Sequence, residues 1–105
     1  MKPIELKRAL AKCQPYFIEK ELLPRMYFRE EMNERITDCY GNKKDVEYWI
    51  FYYTFIRRLT QTCIGVRLDF SQQNIHKRLM SILKANSFLI ENFLKSYAPT
   101  EVVNQ

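Results

Sequence analysis

Four consecutive-turn residues carry the most suggestive chemistry in the chain: Gln73, His76, Lys77 and Arg78, in the stretch GVRLDFSQQNIHKRL at positions 65–79. On a helix, positions 73, 76 and 77 share one face. An amide, an imidazole and an ammonium near a helix start are groups that can contact base edges and phosphates in a DNA major groove. Arg57, Arg58, Arg67 and Arg78 are further cations for phosphate contacts.

Positioning such a face requires a sharp turn between two helices. Gly65 fits a close helix approach, Leu68 and Phe70 flank the turn, and Asp69 stands where a left-handed residue is usual. Ser71 caps the second helix, while Ile75 and Leu79 anchor it. The pattern is helix-turn-helix-like over positions 61–80. A plainer account serves the same residues, because Ser71 is an ordinary N-cap and Phe70 with Ile75 makes a hydrophobic staple. Two expectations favour that capped junction. The preceding helix reads as about twenty residues and the following one runs unbroken from 72 to 97, whereas the DNA motif wants a short first helix.

The surrounding elements read as an all-α compact bundle of four to five helices, with no strand signal. A first helix covers Pro3 to Cys13, a short second one spans Pro15 to Leu23, and a third runs from Arg25 to Tyr40. The third shows Phe28, Met32, Ile36 and Cys39 on one stripe, with Glu30, Glu34 and Asp38 opposite, and Gly41 as its left-handed stop. Asp45 caps a central helix whose Tyr48, Trp49, Tyr52, Tyr53, Phe55, Ile56, Leu59 and Cys63 form a wide apolar sector. A long C-terminal helix packs on it. Residues 1–98 make one helical domain and 99–105 a flexible tail.

Other constellations are weaker. Asn86 lies on the apolar face of the last helix at a heptad a position, where it could set the register of a homodimer. Phe88, Met80, Lys84, Ile50 and Phe51 interrupt or border polar faces and are the candidate partner-binding residues. Tyr48, Tyr52, Tyr53 and Phe55 near Arg57 and Arg58 could stack on single-stranded bases, although aromatic residues at this spacing are more often core. Cys13, Cys39, Cys63 and His76 match no metal-ligand spacing. The carboxylates Glu30, Glu31, Glu34 and Asp38 fall on a solvent face, which argues against acid–base work. With two glycines there is no phosphate-cradling loop.

The formal charge is +5, distributed as +3 over residues 1–18, −2 over 19–38 and +4 over 39–105. Three unpaired-looking cysteines and no leader-like apolar run predict a reducing, cytoplasmic setting, or a nuclear one. The expectation is a non-enzymatic regulatory or adaptor protein without cofactor, metal, membrane or small-molecule substrate. It acts through a protein partner or as a homodimer, and the alternative is a nucleic-acid-binding regulator.

Overall fold

Proline sets the first helical starts. In the computed structural model, which describes residues 1–30, 35–38 and 40–97, α1 (Pro3–Ala11) begins with Pro3, whose missing N–H costs nothing there. The Lys2 N–H donates to Glu5 Oε1 at 2.7 Å, and Leu6 and Leu10 point into the core. Pro15 opens a single α turn, α2 (Pro15–Phe17). The backbone then widens to a π turn at Ile18–Leu22 and tightens to a 3-10 turn at Leu23–Arg25. These changes of pitch bury Ile18, Leu22 and Leu23 together.

The helix expected over Arg25–Tyr40 is not formed. Residues 26–30 have no regular structure, and β1 (Arg35–Thr37) pairs antiparallel with β2 (Lys43–Asp45), Ile36 opposite Lys44. Tertiary partners take the backbone groups that a helix would have paired internally. The Tyr27 N–H donates to Asn86 Oδ1 (2.7 Å) and the Arg29 N–H to Glu47 Oε1 (2.9 Å). The Ile36 carbonyl accepts from Trp49 Nε1 (2.7 Å), while Phe28 meets Tyr48 edge-on. Gly41 is left-handed (φ +88°), but it turns a hairpin rather than ending a helix. Asp38 organises that turn by accepting the N–H groups of Tyr40 and Asn42 at 2.9 and 2.8 Å. Met32, Cys39 and the Glu31 and Glu34 carboxylates lie outside the described residues, as does the 99–105 tail.

The central helix is also shorter than its apolar stripe suggests. α3 (Val46–Phe55) follows Asp45 at the N-cap position and buries Val46, Glu47, Trp49, Ile50, Phe51, Tyr53 and Phe55, so it is surrounded on nearly all sides. Ile50 and Phe51 therefore break no exposed polar face: both are fully buried. The helix stops where Arg58 turns left-handed (φ 58°) and the Leu59 N–H reaches back to the Tyr53 carbonyl at 2.9 Å. α4 (Gln61–Leu68) then restarts, with Thr60 Oγ1 accepting the Cys63 N–H at 3.2 Å.

The last helix divides in the same way. α5 (Gln72–Ala85) and α6 (Ser87–Ser96) meet at Asn86, whose φ −110°, ψ 18° leaves the helical well. α5 packs against α1, α3 and α4, with Ile75, Leu79, Ile82 and Leu83 as its core face. The chain is thus mostly helical with one small two-stranded sheet.

Two residues without glycine's freedom hold positive φ, and they differ in purpose. Asp69 sits at φ 61°, ψ 46° between α4 and α5. The left-handed conformation costs an L-residue about 1–2 kcal/mol, less for Asp. Arg58 accepts the same conformation, but its guanidinium donates to the Ala11 and Cys13 carbonyls and so closes the end of α1. Asp69→Gly is accordingly expected to leave stability unchanged or raise it by up to about 1 kcal/mol. Arg58→Gly is expected to lower it, because the carbonyls lose their donor. Urea midpoints of the two variants measure the difference.

Candidate nucleic-acid interface

The turn between α4 and α5 is built from three local features. Gly65 comes first: a Cβ on it would lie 2.4 Å from the Phe70 carbonyl oxygen, well inside contact distance. The same approach lets the Phe70 N–H donate to the Gly65 carbonyl at 2.9 Å. Left-handed Asp69 reverses the chain. Ser71 then caps α5, its Oγ accepting the Asn74 N–H at 3.1 Å. Ile64 and Leu68 on α4 and Ile75 and Leu79 on α5 are all buried, which fixes the angle of the pair from inside.

Both geometric objections raised by the sequence are removed by the helix breaks. The first helix is 8 residues long, and the second is 14. An eight-residue helix, a short turn through a left-handed residue, and a longer second helix have the element lengths of a helix-turn-helix unit.

The outer side of α5 opens to solvent from its first turn. Gln72, Gln73, His76 and Lys77 are exposed, and Ser81 and Lys84 continue the same side. Gln61 Nε2 lies 3.2 Å from His76 Nδ1, bracing the imidazole across the helix pair. Arg78 is half-buried, its Nε donating to Asn74 Oδ1 (3.0 Å) and its guanidinium lying 4.7 Å from the Phe70 ring centroid. It stiffens the turn as well as carrying charge. A shallow depression of about 330 Å³ runs along Ser71, Gln73, Asn74 and Lys77.

The charged residues of α5 itself, Lys77, Arg78 and Lys84, are all basic. Residues 48–90 hold six Lys or Arg against Asp69 alone, a net +5, while the rest of the chain balances at eleven of each sign. With Glu47 of α3 included, the run from α3 to the start of α6 carries +4. Asp69 lies in the turn itself.

Several expected site residues fall elsewhere. Arg58 caps α1, so it is not available for phosphate. Arg57 and Arg67 line a separate cleft with Trp49, Tyr52 and Tyr53, and the Arg67 guanidinium lies 5.5 Å from the Tyr53 ring centroid. Asn86 is not at a dimer interface: it is 4% exposed and its amide is satisfied within the chain. Its Nδ2 donates to the Tyr27 and Ile82 carbonyls, each at 2.9 Å, and its Oδ1 accepts the Tyr27 N–H. Among the proposed partner-binding residues, Ile50 and Phe51 are core, Met80 is half-buried, Lys84 is exposed and Phe88 is 80% exposed. Phe55 is buried too, and Trp49 stacks on Tyr53 with centroids 5.4 Å apart, so much of the aromatic mass is structural.

Gln72 was overlooked by the sequence reading because it sits next to the cap rather than on the i, i+3, i+4 series from Gln73. The available signal was the Gln-Gln pair immediately after an N-cap serine, where first-turn side chains splay outward to either side.

The thiol of Cys13 is pushed up in pKa by burial and donates to the Ala9 carbonyl at 3.4 Å, which makes it a packing residue. Among the described residues no group of three or more His, Cys, Asp or Glu side chains is placed to hold a metal ion. None of the described helices is long and apolar enough to cross a membrane. Comparison with known proteins finds no family model, no curated protein and no solved structure that matches this chain.

Proposed function

We propose that the protein binds double-stranded DNA as a regulator, laying the N-terminal half of α5 in the major groove. One observation carries this reading. An eight-residue helix, a glycine-tight turn and a capped second helix leave Gln72, Gln73, His76 and Lys77 facing solvent, on a helix whose charged residues, Lys77, Arg78 and Lys84, are all basic. Glutamine can bond adenine at N6 and N7 together, so Gln72 and Gln73 are the base-reading candidates and A·T pairs their preferred targets. Lys77 supplies a phosphate contact, and His76, steadied by Gln61, is positioned for either role.

Base and phosphate contacts fail differently, which gives the test. Against a site selected from a random duplex pool, Gln73→Ala is expected to cost about 1–3 kcal/mol and to relax the preference at one or two base pairs. Lys77→Ala is expected to weaken all sequences about equally and to reduce the salt slope by about 1. Equal loss on every sequence for both variants would remove base reading.

A protein partner or a homodimer is the second reading, favoured by Phe88, an aromatic side chain 80% exposed on the first turn of α6. Sedimentation of the wild type and of Phe88→Asp tests it: self-association lost in the variant supports a homodimer, and a concentration-independent monomer removes it.

A further inference from the structure

A cleft lies between the hairpin, α3 and the end of α4. Its floor is aromatic: Trp49, Tyr52 and Tyr53 line a cleft of about 300 Å³, closed on one side by Ile36 and on the other by Arg57 and Arg67. The floor is rigid for two reasons. Trp49 is tied to the Ile36 carbonyl through its indole N–H, and its ring stacks on Tyr53 at an interplanar angle of 20°.

Charge in the cleft is positive in balance, Arg57 and Arg67 against Asp38. The Arg57 backbone N–H donates to the Tyr52 carbonyl at 3.1 Å, while its side chain is exposed at the edge of the cleft. Arg67 is held over the face of Tyr53, an arrangement that orients a guanidinium while leaving its N–H edge open to a ligand. The carboxylate within the same walls, Asp38, is spent on the hairpin turn, where its oxygens accept the Tyr40 and Asn42 N–H groups and the Asn42 side-chain amide. Asp38 keeps its negative charge there, so two guanidiniums against one carboxylate leave the cleft with a net positive charge.

We propose that this cleft binds a small flat aromatic ligand bearing one anionic group, a phosphate or a carboxylate. The ring would lie against half-buried Tyr52 and the outer edges of buried Trp49 and Tyr53, and the anion would be taken by Arg57 and Arg67. The volume stands at the lower end of the range for small-molecule sites, roughly 300–1,000 Å³. That suits a ligand of one or two rings with its anion. Arginine recognises phosphate and carboxylate with the same fork of donors, so the geometry selects both sources of anion. The site shares none of Gln72, Gln73, His76 or Lys77 with the proposed DNA face, and it stands or falls independently of it.

Trp49 is the one tryptophan of the chain, so its indole N–H gives a single assigned signal inside the site. The experiment titrates ¹⁵N-labelled protein with adenosine monophosphate, benzoate, adenosine, benzamidine and inorganic phosphate, following that signal. Saturable movement with adenosine monophosphate or benzoate, with adenosine and benzamidine at least about tenfold weaker, is expected. Saturation by the nucleotide alone identifies a phosphate ligand, and saturation by benzoate alone a carboxylate. The double variant Arg57→Gln, Arg67→Gln is expected to weaken the response by at least about tenfold while leaving the unliganded indole signal in place, which shows an intact cleft. No saturable movement with either aromatic anion up to about 10 mM would overturn the proposal. So would an equal response to adenosine, or an equal response to inorganic phosphate, which would reduce the site to bare arginine charge.

Discussion

Gly65→Ala is expected to destabilise the protein by about 2–3 kcal/mol, the upper part of the range for forcing extra volume into a closed site. The added methyl would meet the Phe70 carbonyl oxygen at 2.4 Å. That oxygen belongs to the backbone and cannot swing aside as a long side chain would. To admit the methyl, the turn must open, and opening it lengthens the bond from the Phe70 N–H to the Gly65 carbonyl. It also shifts α5 relative to α4, and the buried Ile64, Leu68 and Ile75 lose their fit. The variant should lower the urea midpoint and, if α5 reads DNA, weaken duplex binding more than its folded fraction accounts for. Gly41→Ala is a useful contrast, because a Cβ there meets nothing within 4 Å and the cost comes from the positive φ alone. A Gly65→Ala protein as stable as wild type would mean that the helices do not approach as closely as described.

Asn86→Ala is expected to cost about 3 kcal/mol, since each buried polar group left without a partner costs about 1–3 kcal/mol. The side chain makes three hydrogen bonds, two of them to the N–H and C=O of Tyr27. Its amide thus acts as a miniature strand edge that pins the irregular segment 26–30 to the α5–α6 junction. Truncation leaves the Tyr27 N–H and C=O, part-buried against the α5–α6 junction, without their partner. Asn86→Asp should fare little better. A carboxylate can still accept the Tyr27 N–H, but its second oxygen would face the Tyr27 and Ile82 carbonyls without a proton to offer. The expected fall in Tm is on the order of 15 °C for a domain of this size. Hydrogen exchange gives the local readout: the Tyr27 amide should lose its protection first, ahead of α3. Unchanged exchange at Tyr27 would show that the segment is held by something other than Asn86.

What could be read from the sequence follows from which signals were local. Ser71 as the cap of α5, Asp45 before α3, Pro3 and Pro15 as helix starts and Asp69 as a left-handed turn residue depend on one or two neighbours, and each lies where its type suggests. The breaks in the helices did not announce themselves in that way. Arg58 turns left-handed without glycine because its side chain gains two carbonyls at the end of α1, a contact 45 or more residues distant in sequence. Thr60 caps α4 from inside an apolar stripe that continues through Leu59 and Cys63, and that periodicity concealed the break. At Asn86 the same continuity concealed the junction between α5 and α6.

The hairpin illustrates the limit most clearly. Phe28 and Ile36 have helical spacing, but the backbone between α2 and α3 is claimed by Asn86, Glu47 and Trp49, all supplied by helices later in the chain. Tertiary hydrogen bonding overrode periodicity there. The candidate site was partly legible for the same reason: the types and exposure of Gln73, His76 and Lys77 follow from α5 alone. The short first helix that makes them a plausible reader depends on the break at Arg58.

The most direct test of the central claim is binding of the full chain to a labelled random-sequence duplex across a salt series beginning near 50 mM. The account predicts measurable binding whose log affinity falls linearly with log salt, as neutralised phosphates release counterions, with a shallower slope for Lys77→Ala. It further predicts that selection from the pool enriches sites containing A·T pairs, a preference lost in Gln72→Ala, Gln73→Ala protein. Duplex binding absent even at the lowest salt, with the protein folded, would contradict it.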